Sequence, residues 1–344
     1  MPWILALALL PWVQPGHSFT ATPAAATCSG AENSRNWLRT EREYGDLRLR
    51  FAYRLDQWAE AIVVLRAHAH GRPTLTGIPI QLAHDFHNKS GLHVTGAIAG
   101  LKPPAAFLPP TFDVWHEADI TLRGDRVTVR IDGTLVNDAT VPNRHAAGHI
   151  GFLDLGHKYA LRDIRIDDFG NARPYTALFN GRDLDGWQLR DAGQWSVRDG
   201  AILAANGHGI HYAPGDYADF ELLAVVKSNN HVNAGLFLRG QPAKPAHRGF
   251  EVQIYSPPDA VYPTGSLYGQ TRADIPEDHD GRWALLRVKV HNGRVTTWLD
   301  GRIAAEGPIP PGVPARGRIG LQIHLDTASI ECKELRVRAL QGSE

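Results

Sequence analysis

The chain has 344 residues, with 36 basic and 36 acidic side chains, 34 glycines, 23 prolines and two cysteines. That length suits two domains of ordinary size, each able to bury a core without metal or disulfide staples. Zero formal charge with no block of like charge argues against a nucleic-acid groove or an acidic polymer as the main partner.

Taken in chain order, the first feature is an apolar stretch, Trp3 to Leu10 (WILALALL). It has signal-peptide length and is too short to span a bilayer. Residues 1–27 are therefore expected to be a signal peptide and leader, and the protein to be exported to the periplasm or beyond the cell. No later segment is apolar enough to cross a membrane. Cys28 and Cys332 form no CxxC pair, which rules out a zinc ribbon or a thioredoxin-type site. A disulfide between them is left open.

Downstream, the apolar residues come in short alternating runs separated by Gly and Pro, the pattern of many short strands. The runs repeat. Trp115–Gly133 (WHEADITLRGDRVTVRIDG) lies over Trp283–Gly301 (WALLRVKVHNGRVTTWLDG) without a gap. Each reads as strand, tight turn, strand, Asp-Gly turn, because Gly124-Asp125, Asn292-Gly293 and both Asp-Gly pairs suit positive φ. Five further blocks recur in the same order: YGDLRL/YADFEL, AIVVLR/AGLFLR, GIPIQ/GFEVQ, TGAIAG/TGSLYG and GHIG/GRIG. The second copy alone shows a front piece, LFNGRDLDGW followed by WSVRDGAIL.

An internal repeat of this kind fixes the organisation. One β-sandwich is expected over 28–169, a linker over 170–175 and a second sandwich over 176–341. The fold class is all-β, two tandem jelly-roll sandwiches of the concanavalin A type.

The second copy resembles the 3-keto-disaccharide hydrolase domain family, which includes 3-keto-glucoside 1,2-lyases and 3-keto-2-hydroxyglucal hydratases. The matching pieces are LFNGRDLDGW, WSVRDGAIL, YADFELLAVVK, NAGLFLRG, GFEVQIY, TGSLYG, VTTWLDG and GRIGLQIH, and together they cover residues 178–324. Two departures stand out. GLQIHL replaces a GLQDHG-like stretch, placing Ile323 and Leu325 where an Asp and a Gly are usual. RGFEVQI replaces NGYEVQI.

The resemblance implies a carbohydrate substrate and a chemistry. A ketone at C3 acidifies the C2 proton; a base removes it, and the C1 substituent leaves from the enolate. Such a site needs a base, a group that stabilises the enolate oxygen and an acid for the leaving group. Glu251 and Gln253 alternate with apolar neighbours, so both face one side of a strand. Glu251 is the expected base; a solvated strand carboxylate, or one paired with Arg239, is the bland alternative. His324 and Tyr268 are the expected acid or polarising groups, against a core-edge histidine and a packed aromatic. Arg239 and Gln253 are the expected substrate contacts, but the first copy keeps both, as Arg66 and Gln81, which favours a structural share.

The first copy holds Pro79, Ala99 and Leu155 at the positions of Glu251, Tyr268 and His324, and none of these can do acid–base work. It reads as a structural or binding partner or a remnant, with His84, Asp85 and His87 the candidates for a contribution to a shared cleft. No cofactor is expected; a divalent ion beside His324 is the alternative left open. The rival functions are a non-catalytic carbohydrate-binding module and a laminin-G-like interaction domain.

Overall fold

The computed structural model describes residues 12–14, 16–31, 36–84, 91–142, 144–170, 173–243, 248–275 and 278–340. The Trp3–Leu10 stretch, Asp85 and His87 lie outside them. The chain divides into two compact units, Met1–Pro174 and Tyr175–Glu344. Among the described residues no helix is long and apolar enough to cross a membrane.

The first unit is two antiparallel sheets. The smaller runs in the order Trp12–Val13, Trp37–Thr40, His149–Leu153, Glu60–Ala67, Ile78–Ala83. The larger runs Thr134–Thr140, Arg126–Ile131, His116–Arg123, Asp46–Leu55, Tyr159–Gly170, Ala25–Cys28, Phe19–Thr22. Alternate residues of both sheets, among them Leu49, Phe51, Val63, Ile80, Ile120 and Phe152, meet in one buried core. Burial of this apolar face is what holds the layers together; strands of the larger sheet such as Arg126–Ile131 alternate apolar inward and polar outward, while those of the smaller sheet are buried on both faces.

The second unit repeats this order strand for strand. Its smaller layer is Gln188–Arg190, then 207–212, 318–325, Ala234–Gly240 and Phe250–Ile254. Its larger layer is Arg302–Pro308, Arg294–Leu299, Ala284–His291, Phe220–Asn229, then 329–339, 201–205 and Gln194–Arg198. The difference lies in two strands, Ala201–Tyr212 and Arg318–Ala339, which run through both layers and join them into one continuous sheet. In the first unit each is interrupted.

The first copy lacks LFNGRDLDGW, as read from the sequence, but it does hold a counterpart of the hairpin that follows that motif in the second copy. Phe19–Thr22 and Ala25–Cys28 form a hairpin whose second strand pairs Tyr159–Leu161. It is the counterpart of the Gln194–Arg198 hairpin, whose second strand pairs Cys332 through Ser329. Strand pairing in the first unit thus reaches well upstream of residue 28. Cys28 and Cys332 are free thiols, each buried in its own unit's core.

Arg239 and Arg66 show what the two units share at their corners. Each ends its strand with positive φ, +52° and +53°. Arg239 is 6% exposed and donates to Ala218 O and, at 3.1 Å, to Asp219 Oδ1. Arg66, 1% exposed, donates to Gly45 O, Gly124 O and Asp46 Oδ1. Buried main-chain carbonyls near the sheet corner need donors, and the planar guanidinium supplies several at once. Arg239 therefore clamps the corner, the structural share expected from its retention in both copies.

Candidate active site

In the second unit's smaller layer, one face packs on the core through Ala234, Leu236, Leu238, Val252, Ile254, Leu321 and Ile323. The period of two sends the residues between them to the opposite face. Strand register arranges these in three ranks across the sheet. The first rank is Tyr212, Gly320, Phe237 and Glu251. The second is Ile210, Gln322, Gly235 and Gln253. The third pairs His208 with His324, whose N–H donates to Asn233 O at 2.9 Å.

Glu251 does not stand upright in its rank. A Cβ built on Gly235 would lie 2.2 Å from Glu251 Oε1 and 2.6 Å from its Cγ, so the side chain occupies the space above the glycine. This leaning moves the carboxylate from the first rank to the second, next to Gln322 and Gln253. From Gly235, His324 is one strand and one rank away, on the order of 8 Å between Cα positions by ordinary sheet spacing. Burial pushes the Glu251 carboxyl up to about 7, since a low-dielectric setting disfavours its charged form. It makes no pair with Arg239, whose guanidinium is engaged at the corner.

Gln253 shares the face but is buried, and its amide donates to Asn233 Oδ1 at 2.8 Å. Gln81 in the first unit donates likewise to Glu60 Oε2, so the glutamine props the floor in both. Gln322 has a buried Oε1 with no hydrogen-bond partner in the protein. Tyr268 donates its N–H to Glu251 O at 3.1 Å, and its ring, 56% exposed, meets Tyr262 edge-on at 5.5 Å. It is an exposed aromatic at the border beside Glu251, not a packed core residue.

His324 is exposed, and its ring centroid lies 6.4 Å from that of His208. Sequence reasoning did not place His208, Asn233 or Gln322 in the site. His208 and His211 both lie on the Ala201–Tyr212 strand, on opposite faces. His211 is buried edge-on to Trp187 and Trp195. Two signals were available: Gln322 stands two residues before His324, and His208 two before Ile210, each on one face by strand period. Among the described residues no group of three His, Cys, Asp or Glu gathers to hold a metal ion.

The same face of the first unit is apolar. Trp37, Ile62, Val64 and Leu153 form a buried cluster, with Leu155 and Ala99 packed against it. Trp37 lies where a Cβ on Gly151 would stand 2.3 Å from its ring. Ile62 takes the place of Gly235 and Pro79 that of Glu251, so there is neither a carboxylate nor room for one to lean. His84 is structural here: its Nδ1 accepts the Trp58 N–H at 2.9 Å.

The profile of the 3-keto-alpha-glucoside-1,2-lyase-like domain matches this sequence twice, over residues 15–167 and 174–338. No curated protein matches it. Among solved structures, it is similar to a candidate glycosyl hydrolase from Parabacteroides distasonis at 21% identity, covering 48% of this chain and 94% of that one, with a TM-score of 0.43. A second candidate glycosyl hydrolase from that organism shares 21% identity over 50% of this chain and 85% of its own, with a TM-score of 0.41. A carbohydrate-binding module from Bacillus subtilis shares 14% over 45% and 96%, with a TM-score of 0.34.

Proposed function

The chain belongs to the 3-keto-alpha-glucoside-1,2-lyase-like domain family in both of its halves, and on that premise we propose that the second unit cleaves 3-keto-glycosides. Glu251 removes the C2 proton, and the bond electrons pass into the C3 carbonyl as an enolate. The enolate expels the C1 oxygen, which takes a proton from His324. Water adding across the resulting double bond completes a net hydrolysis; release of the unsaturated sugar is the lyase outcome.

The observation that carries this reading is the Glu251 carboxylate lying over Gly235 and raised to about 7. A base with that pKa is half-deprotonated at neutral pH yet holds a proton strongly enough to pull one from carbon. Gln322 Oε1, buried without a partner, is available to a sugar hydroxyl. Tyr268 flanks the base from the border, where its hydroxyl can donate to the enolate oxygen or its ring can carry a sugar face.

The test is aglycone release from 3-keto-glucosides of both anomers by wild type, Glu251→Gln and His324→Ala. Turnover by wild type alone supports the assignment. No turnover by wild type, with saturable binding of unoxidised glycosides, overturns it and leaves a carbohydrate-binding module.

A further inference from the structure

The first unit has lost acid–base groups from its sheet face, yet holds another constellation at the far end of its larger sheet. His116 opens the His116–Arg123 strand. Its Nδ1 lies 2.6 Å from Asp132 Oδ2 and its Nε2 lies 2.5 Å from Thr111 Oγ1. An ionised carboxylate only accepts, so Nδ1 carries a proton, and in the neutral imidazole Nε2 is left to accept the Thr111 hydroxyl. The order is hydroxyl, imidazole, carboxylate.

Asp132 would be at this turn regardless. Its other oxygen, Oδ1, accepts the Glu117 N–H at 2.8 Å. Asp300 of the second unit does the same for Leu285 N, also at 2.8 Å. The turn device thus holds one carboxylate oxygen in both units. In the second unit the position of His116 is Ala284, and the spare oxygen faces His279 at 3.9 Å. Only the first unit continues the line through an imidazole to a hydroxyl.

The line ends in a cavity. Thr111, His116 and Asp132 border a space of about 180 Å³, walled by Leu55, Leu108, Pro110 and Ile131. Tyr53, also in the wall, sets its buried ring 5.4 Å from the imidazole and holds the ring's plane. Pro109 and Pro110 fix their own φ and so stiffen the chain that leads to Thr111. A hydroxyl fixed on stiff chain, bonded to an oriented imidazole and facing an apolar space, is the arrangement of an activated nucleophile.

We propose that this is an acyl-transfer site for small carboxylic esters with a short aliphatic acyl group. Thr111 Oγ1 bonds to the ester carbonyl carbon as His116 Nε2 takes the hydroxyl proton. The bond from that carbon to the alkoxy oxygen breaks, and the alcohol leaves with the proton from His116. Water, deprotonated by His116, then attacks the threonyl ester. The acid departs and the Thr111 hydroxyl is restored, so that ester and water give acid and alcohol. Asp132 keeps the imidazole in the competent tautomer and stabilises its charged form.

The experiment uses the full chain with p-nitrophenyl acetate, quenched in acid and mapped by peptide mass. An acetyl group on Thr111 is expected, with steady-state release at least tenfold lower in Thr111→Val and His116→Ala. Thr111→Ser, which keeps a hydroxyl, retains turnover, and so does Glu251→Gln, which separates this site from the one in the second unit. Melting curves check that each variant is folded. Acetylation confined to lysines, or equal rates in wild type, Thr111→Val and His116→Ala, overturns the proposal.

Discussion

Gly235 lies beneath the side chain of Glu251, one strand over and one rank along, and a methyl group at the glycine would sit 2.2 Å from the carboxylate oxygen. Gly235 pairs both Gln253 and Gln322, so it is the one gap in the middle of a row of side chains. Gly235→Ala is expected to fold, because the obstructing atoms are the end of a flexible side chain. It should nevertheless push the carboxylate out of position, with turnover falling at least tenfold. A melting curve beside a rate measurement separates the two effects.

The raised carboxyl of Glu251 gives two pH signatures. Turnover should rise with pH through about 7, as the base loses its proton, and Glu251→Gln should abolish that limb. Stability moves the other way. The folded form holds its proton up to about 7 while the unfolded chain loses it near the ordinary glutamate value of 4.5, so between these values the folded state binds more protons and loses stability as pH rises. The cost above pH 7 is at most about 3 kcal/mol. Glu251→Gln, free of that cost, should melt higher than wild type at pH 8 and equally at pH 4.

His324 as acid predicts a dependence on the leaving group. His324→Ala should slow release of a poor leaving group such as an alkyl alcohol by about a hundredfold, within the usual range for a general acid. Release of p-nitrophenol, which needs no proton, should change little. His208 faces His324 across the strand pair with ring centroids 6.4 Å apart, and His208→Ala should show the same pattern more weakly. Equal slowing of both leaving groups would remove the acid role.

Arg239 gives the contrasting expectation. Its bonds to Ala218 O and Asp219 are at the corner, so Arg239→Met should lower stability by about 3–5 kcal/mol, the range for losing one partner of a largely buried pair. KM should stay unchanged in whatever fraction remains folded. Arg66→Met should do the same to the first unit. Denaturant unfolding followed beside KM measures both.

What the sequence showed of this fold came from residues whose backbone needs are strict. Asp132-Gly133 and Asp300-Gly301 all have positive φ, and such pairs stand at fixed offsets in both copies. The front hairpin of the first copy was hidden because Phe19–Cys28 (FTATPAAATC) is built of small residues that read equally well as a leader. Glu251 was legible through strand alternation, whereas its leaning over Gly235 was not, since that depends on a gap in the neighbouring strand. His208 was missed because it meets His324 across strands far apart in sequence. The corner role of Arg239 was not legible because a strand's end borders both the site and the corner, and the left-handed turn at that residue aims its guanidinium at Ala218 and Asp219.

The doubled arginine corner has an evolutionary consequence. Arg66 with Asp46, and Arg239 with Asp219, secure the sandwich by groups that take no part in the proposed sugar chemistry. Selection for folding and selection for that chemistry therefore fall on different residues. After duplication, one copy was free to exchange its polar ranks for Trp37, Ile62 and Leu153 without forfeiting its architecture. The chain thus carries its own blank scaffold beside the loaded one. Rebuilding the ranks there, with glycine at Ile62 and glutamate at Pro79, would ask whether a handful of side chains is sufficient as well as necessary.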